Sequence, residues 1–215
     1  MTLLLPLGYS GSASIEVKRS VFLAEVARVA DEEDARAVVA AARKTHAGAR
    51  HHCSAFVVGV DEPNPVERSS DDGEPAGTGG MPILAALHGA GLVDVVCVVT
   101  RWFGGVKLGA GPLARAYGDA AGAALAAAPR VERVVHPQWR VQVSYSRLGR
   151  LVNELTARGL TVRPEYGADA SLLVSAQSDA DIAAMVASLT QGSGVLEPAG
   201  TVVVESPRGE PGIGS

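Results

Sequence analysis

Apolar and polar residues change their spacing several times along the chain, and each change marks an element. From Ser14 to Val29 (SIEVKRSVFLAEVARV) the two types alternate, with Phe22, Ala24 and Val26 on one face, as two short strands or one bent strand would require. Asp31–His46 (DEEDARAVVAAARKTH) switches to helical spacing. Asp31 stands at the N-cap, Glu32, Glu33 and Asp34 at the positive end of the helix dipole, and Arg43, Lys44 and His46 at the negative end. His51–Val60 reads as a strand, and Asp61–Gly80, rich in Pro, Gly, Ser and acid, as one long loop. A loop of that length in a compact domain is more often functional or mobile than incidental. Met81–Gly89 predicts a short apolar helix with Pro82 in its first turn, and Leu92–Trp102 a nearly continuous apolar strand, hence a central one. A glycine-rich turn over Gly104–Gly111 leads into an Ala-rich helix over Pro112–Ala128. Pro112 suits a first helical turn because its missing N–H would be unpaired there, and Pro129 ends the helix.

A boundary is expected near Arg130. Beyond it the pattern predicts a strand over 131–145, a helix over 146–158, strands over 160–166 and 170–177 around a turn at Gly167, a helix over 179–190 and a strand over 195–205. That order, β-α-β-β-α-β, is the ferredoxin-like split pattern, with Ser178 or Asp179 able to cap the second helix. The expected organisation is α/β (α+β): an N-terminal domain over 1–130, a ferredoxin-like domain over 131–206 and a disordered tail over 207–215. Neither domain contains an internal repeat.

Composition adds limits. The 215 residues suffice for two domains, and 47% hydrophobic with 20% charged residues is ordinary for a globular protein. Aromatics make up only 4%, so Val, Leu, Ala and Ile must fill the cores. No apolar run approaches the roughly 18–20 residues that span a bilayer. The start, MTLLLPLGYS, lacks a basic flank and carries Pro6, which makes it a poor signal peptide. Cys53 and Cys97 each lie within an apolar strand-like run and read as buried thiols of a reducing compartment, so a cytoplasmic location is expected. Residues 1–130 carry 12 Lys+Arg against 14 Asp+Glu and residues 131–215 carry 7 against 9, so each part is −2 of the net −4. A chain without a basic half can hold a polyanion only if its cations are focused locally.

The segment Arg101–Arg115 (RWFGGVKLGAGPLAR) passes from a strand through glycines into a helix start, which presents backbone N–H groups to an anion. Arg101, Lys107 and Arg115, with Gly104, Gly105, Gly109 and Gly111, form a candidate nucleic-acid or anion cradle, and Trp102 and Phe103 could stack a base. A tightly packed glycine turn with both aromatics in the core explains the same residues equally well. The nominal G-x-G-x-x-A over Gly109–Ala114 is a weak dinucleotide fingerprint, because its strand comes too early and Pro112 stiffens the turn.

Asp71, Asp72 and Glu74 place three carboxylates within four residues. Pairing with Arg101, Lys107 or Arg115 is the favoured reading, which would neutralise the cradle until a phosphate competed. Alternatives are a Mg²⁺ or Zn²⁺ site, with acid–base catalysis by Asp71, Asp72, Glu74 and His46 or His51, and a solvated loop. His51 and His52 point to opposite faces of a strand, so only one can join a given pocket, and a hydrogen-bonded, partly buried histidine is the simpler reading. In the second domain Arg140, Gln142, Ser144 and Arg147 offer a weak RNA- or protein-binding face.

Four strings, Lys18–Phe22 (KRSVF), Ala49–Ala55 (ARHHCSA), Ser70–Gly80 (SDDGEPAGTGG) and Arg101–Tyr117 (RWFGGVKLGAGPLARAY), resemble the YigZ/IMPACT family in order and spacing. Gly79 and Pro112 stand where other members have Ala and Gly, and Trp102 where Tyr is usual. The resemblance implies an N-terminal domain similar to domain IV of elongation factor G and a C-terminal domain similar to that factor's last domain. Eukaryotic members restrain a starvation-activated translation-initiation kinase by binding its ribosome-associated activator, through an additional N-terminal interaction domain that these residues do not contain. Bacterial members are implied to associate with nucleic acid or the ribosome.

Three functions follow as expectations: a non-enzymatic RNA- or ribosome-associated protein regulating translation, a metal-dependent enzyme on a phosphorylated or nucleotide substrate, and a protein-interaction module. The first needs no cofactor and no membrane.

Overall fold

The computed structural model describes residues 2–167, 170–175, 179–192 and 194–207. The chain divides into two compact units, Met1–Glu132 and Arg133–Ser215.

After a short strand β1 (Thr2–Leu4), the first unit contains β2 (Ser10–Val17), β3 (Ser20–Arg28), α1 (Glu32–Thr45), β4 (His51–Val58), β5 (Val66–Ser70), α2 (Gly80–Ala90), β6 (Val95–Trp102) and α3 (Ala110–Ala127). Strands β2 to β6 form one antiparallel sheet in the order β2-β3-β6-β4-β5. The run expected to be central is central: β6 is buried along nearly its whole length. The alternating stretch from Ser14 is two strands, joined by a two-residue turn at Lys18 and Arg19 with φ of 48° and 65°. Left-handed backbone at both positions is what a tight hairpin with the strands' own twist demands, and non-glycine residues adopt it at a cost.

Helices α2 and α3 cover one sheet face, where Phe22, Ala24, Val26, Cys53, Val99 and Tyr117 form the larger core. Buried alanines of α3 (Ala116, Ala120, Ala121, Ala124) let that helix lie close to the sheet, which is how a chain poor in aromatics fills its interior. Helix α1 covers the opposite face through a smaller core that includes Ala35, Phe56, Val58, Val96 and Val98. Its N-cap forms as expected, with Asp31 Oδ1 accepting from the Asp34 amide at 2.9 Å.

Two boundaries differ from expectation. The stretch Asp61–Gly80 is not one loop, since β5 pairs with β4 from Val58↔Val66 to Ser54↔Ser70. Val66–Ser70 (VERSS) has a single apolar residue and carries no periodic signal; the free edge of β4 supplies the ladder that makes it a strand. Helix α3 begins two residues earlier than Pro112, at Ala110, because the first-turn N–H groups need no intrahelical partner and Gly111 is tolerated there.

The second unit contains β7 (Val131–Val143), α4 (Tyr145–Ala157), β8 (Thr161–Tyr166), β9 (Ala170–Ser175), α5 (Asp179–Thr190) and β10 (Val195–Pro207). Strand β9 pairs antiparallel with both β7 and β8, and β10 pairs with β7. The β-α-β-β-α-β order and this split arrangement give the mixed α+β fold expected. Its core joins Val141, Leu148, Leu151, Leu155, Leu172 and Ile182. Pro207, expected in the tail, belongs to β10. Residues 208–215 and the cap expected at Ser178 or the Asp179 side chain lie outside the described residues.

Candidate functional site

The antiparallel register gathers four distant segments at one end of the first sheet. Trp102 at the end of β6 faces Val21 near the start of β3, Arg101 faces His51 at the start of β4, and Ser54 faces Ser70 at the end of β5. Lys18–Phe22, Arg50–Cys53, Ser70–Gly80 and Arg101–Gly105 therefore meet at that end.

The three carboxylates of the acidic loop have three different partners. Asp71 accepts from the backbone amides of Gly77, Gly79 and Gly80, each at 2.8 Å. Gly79 and Gly80 open α2, so the Asp71 carboxylate fills that helix's N-terminal anion site. Burial alone would raise the Asp71 pKa, but the three amides outweigh it and hold the carboxyl below its ordinary value. Asp72 accepts from Arg43 Nη2 at 2.6 Å and from the His52 amide at 2.7 Å. Glu74 Oε1 accepts from Arg101 Nη1 at 2.6 Å and from the Tyr117 hydroxyl at 2.8 Å. Among the described residues no group of three His, Cys, Asp or Glu is placed to hold a metal ion.

Arg101, expected to line the anion cradle, is enclosed. Its side chain is 8% exposed and that of Glu74 5%, and the guanidinium lies 5.4 Å from the Phe22 ring centroid and 5.7 Å from that of Phe103. Phe22 meets Tyr117 edge-on at 5.1 Å. Glu74, Arg101 and Tyr117 thus form a buried polar strut tying the acidic loop to β6 and α3. Desolvation, with the neighbouring Cys53 and Glu74, raises the Tyr117 pKa, so the phenol stays protonated and donates. Cys53, beneath the loop, donates its Sγ–H to Asp71 O at 3.0 Å, and burial pushes its thiol pKa up to about 12. Both cysteines are buried and free, as expected.

The histidines brace this end. His51 Nδ1 lies 3.0 Å from Asp72 O, and His52 Nε2 lies 3.3 Å from His46 O. The alternation sends the two rings to opposite faces, yet both strand positions contact Asp72 because its loop crosses the sheet end. His46 stands apart from the carboxylate loop, edge-on to Trp102 at 5.4 Å and with Nε2 3.2 Å from Glu25 Oε2.

Lys107 and Arg115 are exposed, and neither side chain has an ion pair or hydrogen bond among the described residues. Of the cations at this end, the same holds for Lys18, Arg19 and Arg50. Reasoning from sequence passed over these three as site residues; the outward-facing tip of a hairpin is the signal that could have marked Lys18 and Arg19. Gly104 locks that tip in place: its amide donates to Ser20 Oγ at 3.1 Å, and a Cβ there would lie 2.0 Å from the Arg19 backbone. Gly105 has φ of 88° and turns the chain toward α3. Gly109 caps α3 with extended backbone and no side-chain hydrogen bond, and open space surrounds Gly111. Trp102 is half-buried and Phe103 is 53% exposed, so only Phe103 offers a stacking face to solvent.

In the second unit, Arg140 pairs with Glu165 at 3.1 Å and Arg147 donates to Thr190 O at 3.0 Å, while Gln142 and Ser144 remain exposed or partly so. No helix among the described residues is long and apolar enough to cross a membrane.

The comparisons with known proteins agree with this arrangement of motifs. The Impact N-terminal domain model matches residues 18–125. The IMPACT family member YigZ of Escherichia coli is 35% identical over 181 residues, which is 83% of this chain and 89% of YigZ. YvyE of Bacillus subtilis is 40% identical over 146 residues, 68% of this chain and 66% of YvyE, so the match spans just under two thirds of that relative. A crystal structure of a hypothetical protein superposes with a TM-score of 0.59 at 32% identity, covering 92% of this chain and 96% of its own. The two-domain translational regulator Yih1 is 31% identical over 57% of this chain and 48% of its own, with a TM-score of 0.40. With its four motif segments gathered at one end of the first sheet and its family model spanning that unit, this chain belongs to the IMPACT family.

Proposed function

We propose that this chain is a non-enzymatic RNA- or ribosome-associated protein acting in the regulation of translation, and that it grips phosphates at the motif-bearing end of the first sheet. The observation that carries the reading is a division of labour among charges. Asp71, Asp72 and Glu74 each have internal partners, whereas Lys18, Arg19, Arg50, Lys107 and Arg115 have none among the described residues. The chain as a whole is acidic, yet these five cations belong to the motif segments at this end of the sheet or to the approach and first turns of α3, whose N-terminus has no side-chain cap. Local focusing of that kind attracts a polyanion without a basic net charge. Phe103 adds an exposed ring on which a base can stack. Arg101 in this reading does not touch RNA; it braces the surface through Glu74.

The test is a salt titration of RNA binding. Replacing Lys18, Arg19, Lys107 and Arg115 by Ala should abolish most affinity and lower the slope of log K against log salt by about 3, since each phosphate contact contributes about 0.7–0.9. An unchanged affinity and slope would remove the proposed surface. Asp71, Asp72 and Glu74 would carry the enzymatic alternative, and stoichiometric Mg²⁺ or Zn²⁺ binding by calorimetry would favour that alternative instead.

A further inference from the structure

The two edges of the first sheet are unlike. At one, β5 carries Glu67 and Arg68, whose side chains pair with His88 and Glu32. Charged residues of this kind blunt an edge against further strand pairing. At the other, β2 (SGSASIEV) has no Pro, no Lys and an unbroken eight-residue register, and among the described residues nothing pairs with its outer side.

The orientation of that edge follows from its turn. Because only Lys18 and Arg19 intervene, Val17 and Ser20 form the hydrogen-bonded pair that closes the hairpin, and bonded and non-bonded pairs alternate from there. Ser10, Ser12, Ser14 and Glu16 therefore direct their N–H and C=O groups away from β3. Their side chains share a face with Leu23, Glu25 and Ala27, and Ser12 stands directly opposite Glu25. Helix α1 packs on that face mainly over β4 and β6. A groove of about 340 Å³ is left beside it, with Ser10, Ser12, Glu25 and Ala27 on the sheet side and Val38 and Ala41 on the helix side.

Glu25 is the charge in this groove. Its side chain is one-third exposed (33%), and its Oε2 stands 3.2 Å from His46 Nε2, an ion pair when the imidazole is protonated, while neither atom has a hydrogen-bond partner among the described residues. A carboxylate in a half-enclosed groove with hydroxyl and methyl walls suits an ammonium or guanidinium on an aliphatic stem.

We propose that β2 receives an extended peptide from a partner protein as a sixth strand, and that a Lys or Arg of the peptide crosses Ser12 to reach Glu25. A strand added to β2 would lie two strand spacings from β3, about 10 Å. A long basic side chain and the Glu25 side chain together cover that span, and the small serine side chains on that face of β2 leave the path clear. Main-chain bonds to the outward groups of Ser10, Ser12 and Ser14 provide affinity, and Glu25 provides selectivity.

A library of random nine-residue peptides displayed on phage, selected on the immobilised full chain, tests this without naming the partner. The expected winners alternate apolar and polar residues around a Lys or Arg. Ser12→Pro removes only an outward N–H and should weaken them at least tenfold. Glu25→Gln should weaken them three- to tenfold, yet leave versions with Met in place of the basic residue unaffected. N-methylation of alternate amides in a synthetic winner should abolish binding to the unaltered chain, a readout that does not depend on any variant folding. The proposal fails if no peptide is enriched, if winners lack a basic residue, or if they bind Ser12→Pro and Glu25→Gln as tightly as the original. It fails also if sedimentation finds a concentration-dependent dimer that Ser12→Pro disperses, because a second copy then occupies the edge. None of these outcomes depends on RNA binding at the motif-bearing end of the sheet.

Discussion

Helices α2 and α3 pack on the same sheet face, and each begins after a glycine, Gly79 or Gly109, that offers no side-chain cap. At α2 the vacancy is filled from within: Asp71, reaching from the preceding loop, takes the amides of Gly77, Gly79 and Gly80. At α3 no side chain among the described residues caps the helix, and the exposed charged neighbours are Lys107 and Arg115. A helix start without a side-chain cap of its own is thus sealed by the chain's own carboxylate at α2, and under the proposed function it is the anion seat at α3. A helix N-terminus is generic chemistry; what surrounds it decides whether it binds the protein's own carboxylate or another molecule's phosphate.

The joint at α2 depends on the buried strut beneath it. Glu74→Ala leaves Arg101 charged, enclosed and unpartnered, and urea denaturation should register a loss of about 3–5 kcal/mol. Arg101→Ala should cost a comparable amount, and the double substitution clearly less than the sum of the two, because they remove one shared interaction. A near-zero effect of Glu74→Ala would mean that the loop is seated by something other than the strut.

Asp71→Ala reopens the α2 site and should cost about 1–2 kcal/mol. Its pH dependence has a definite sign. The folded-state pKa of Asp71 lies below the ordinary carboxylate value, so its stabilisation is present above that value, about pH 4, and fades as pH falls through it. The stability gap between the original chain and Asp71→Ala should therefore be full at pH 7 and shrink below about pH 4. This variant also sharpens the contrast between the helices: with no exposed lysine placed as Lys107 is, the reopened α2 terminus should gain no RNA affinity.

The converse change is the mildest. Gly109 has extended backbone, and a Cβ there would meet only Pro112 Cδ at 3.9 Å, so an aspartate fits. Gly109→Asp should cap α3 and stabilise the chain by a few tenths of a kcal/mol. RNA affinity should fall about three- to tenfold, since the new carboxylate occupies the seat and repels phosphate. Unaltered RNA binding in this variant would separate the cationic loops from the helix terminus and assign affinity to the loops alone.

Much of this framework could be read in the residue order. Helix α1 announces itself by Asp31 and its charge gradient, β6 by unbroken apolar content, and the second unit by the sequence of its periods. Strand β5 could not be read, because its existence rests on a neighbour's unsatisfied edge rather than on its own side chains. The distribution of the acidic loop was equally hidden. Asp71, Asp72 and Glu74 are near neighbours in the chain, yet left-handed backbone at Asp72 (φ 44°) and Gly73 (φ 85°) turns them toward three different partners. Of the cations expected to pair with them, only Arg101 does so, and Arg43 from α1 takes the place expected of the others.

The sequence by itself determined the family and the types of the elements other than β1 and β5, because periodicity, caps and long motif strings are local properties. Only the tertiary structure decided which charges cancel and which remain. Pairing depends on distances between segments far apart in the chain, such as those carrying Arg28 and Asp94, and those distances are set by strand register and by where a two-residue turn sends the chain.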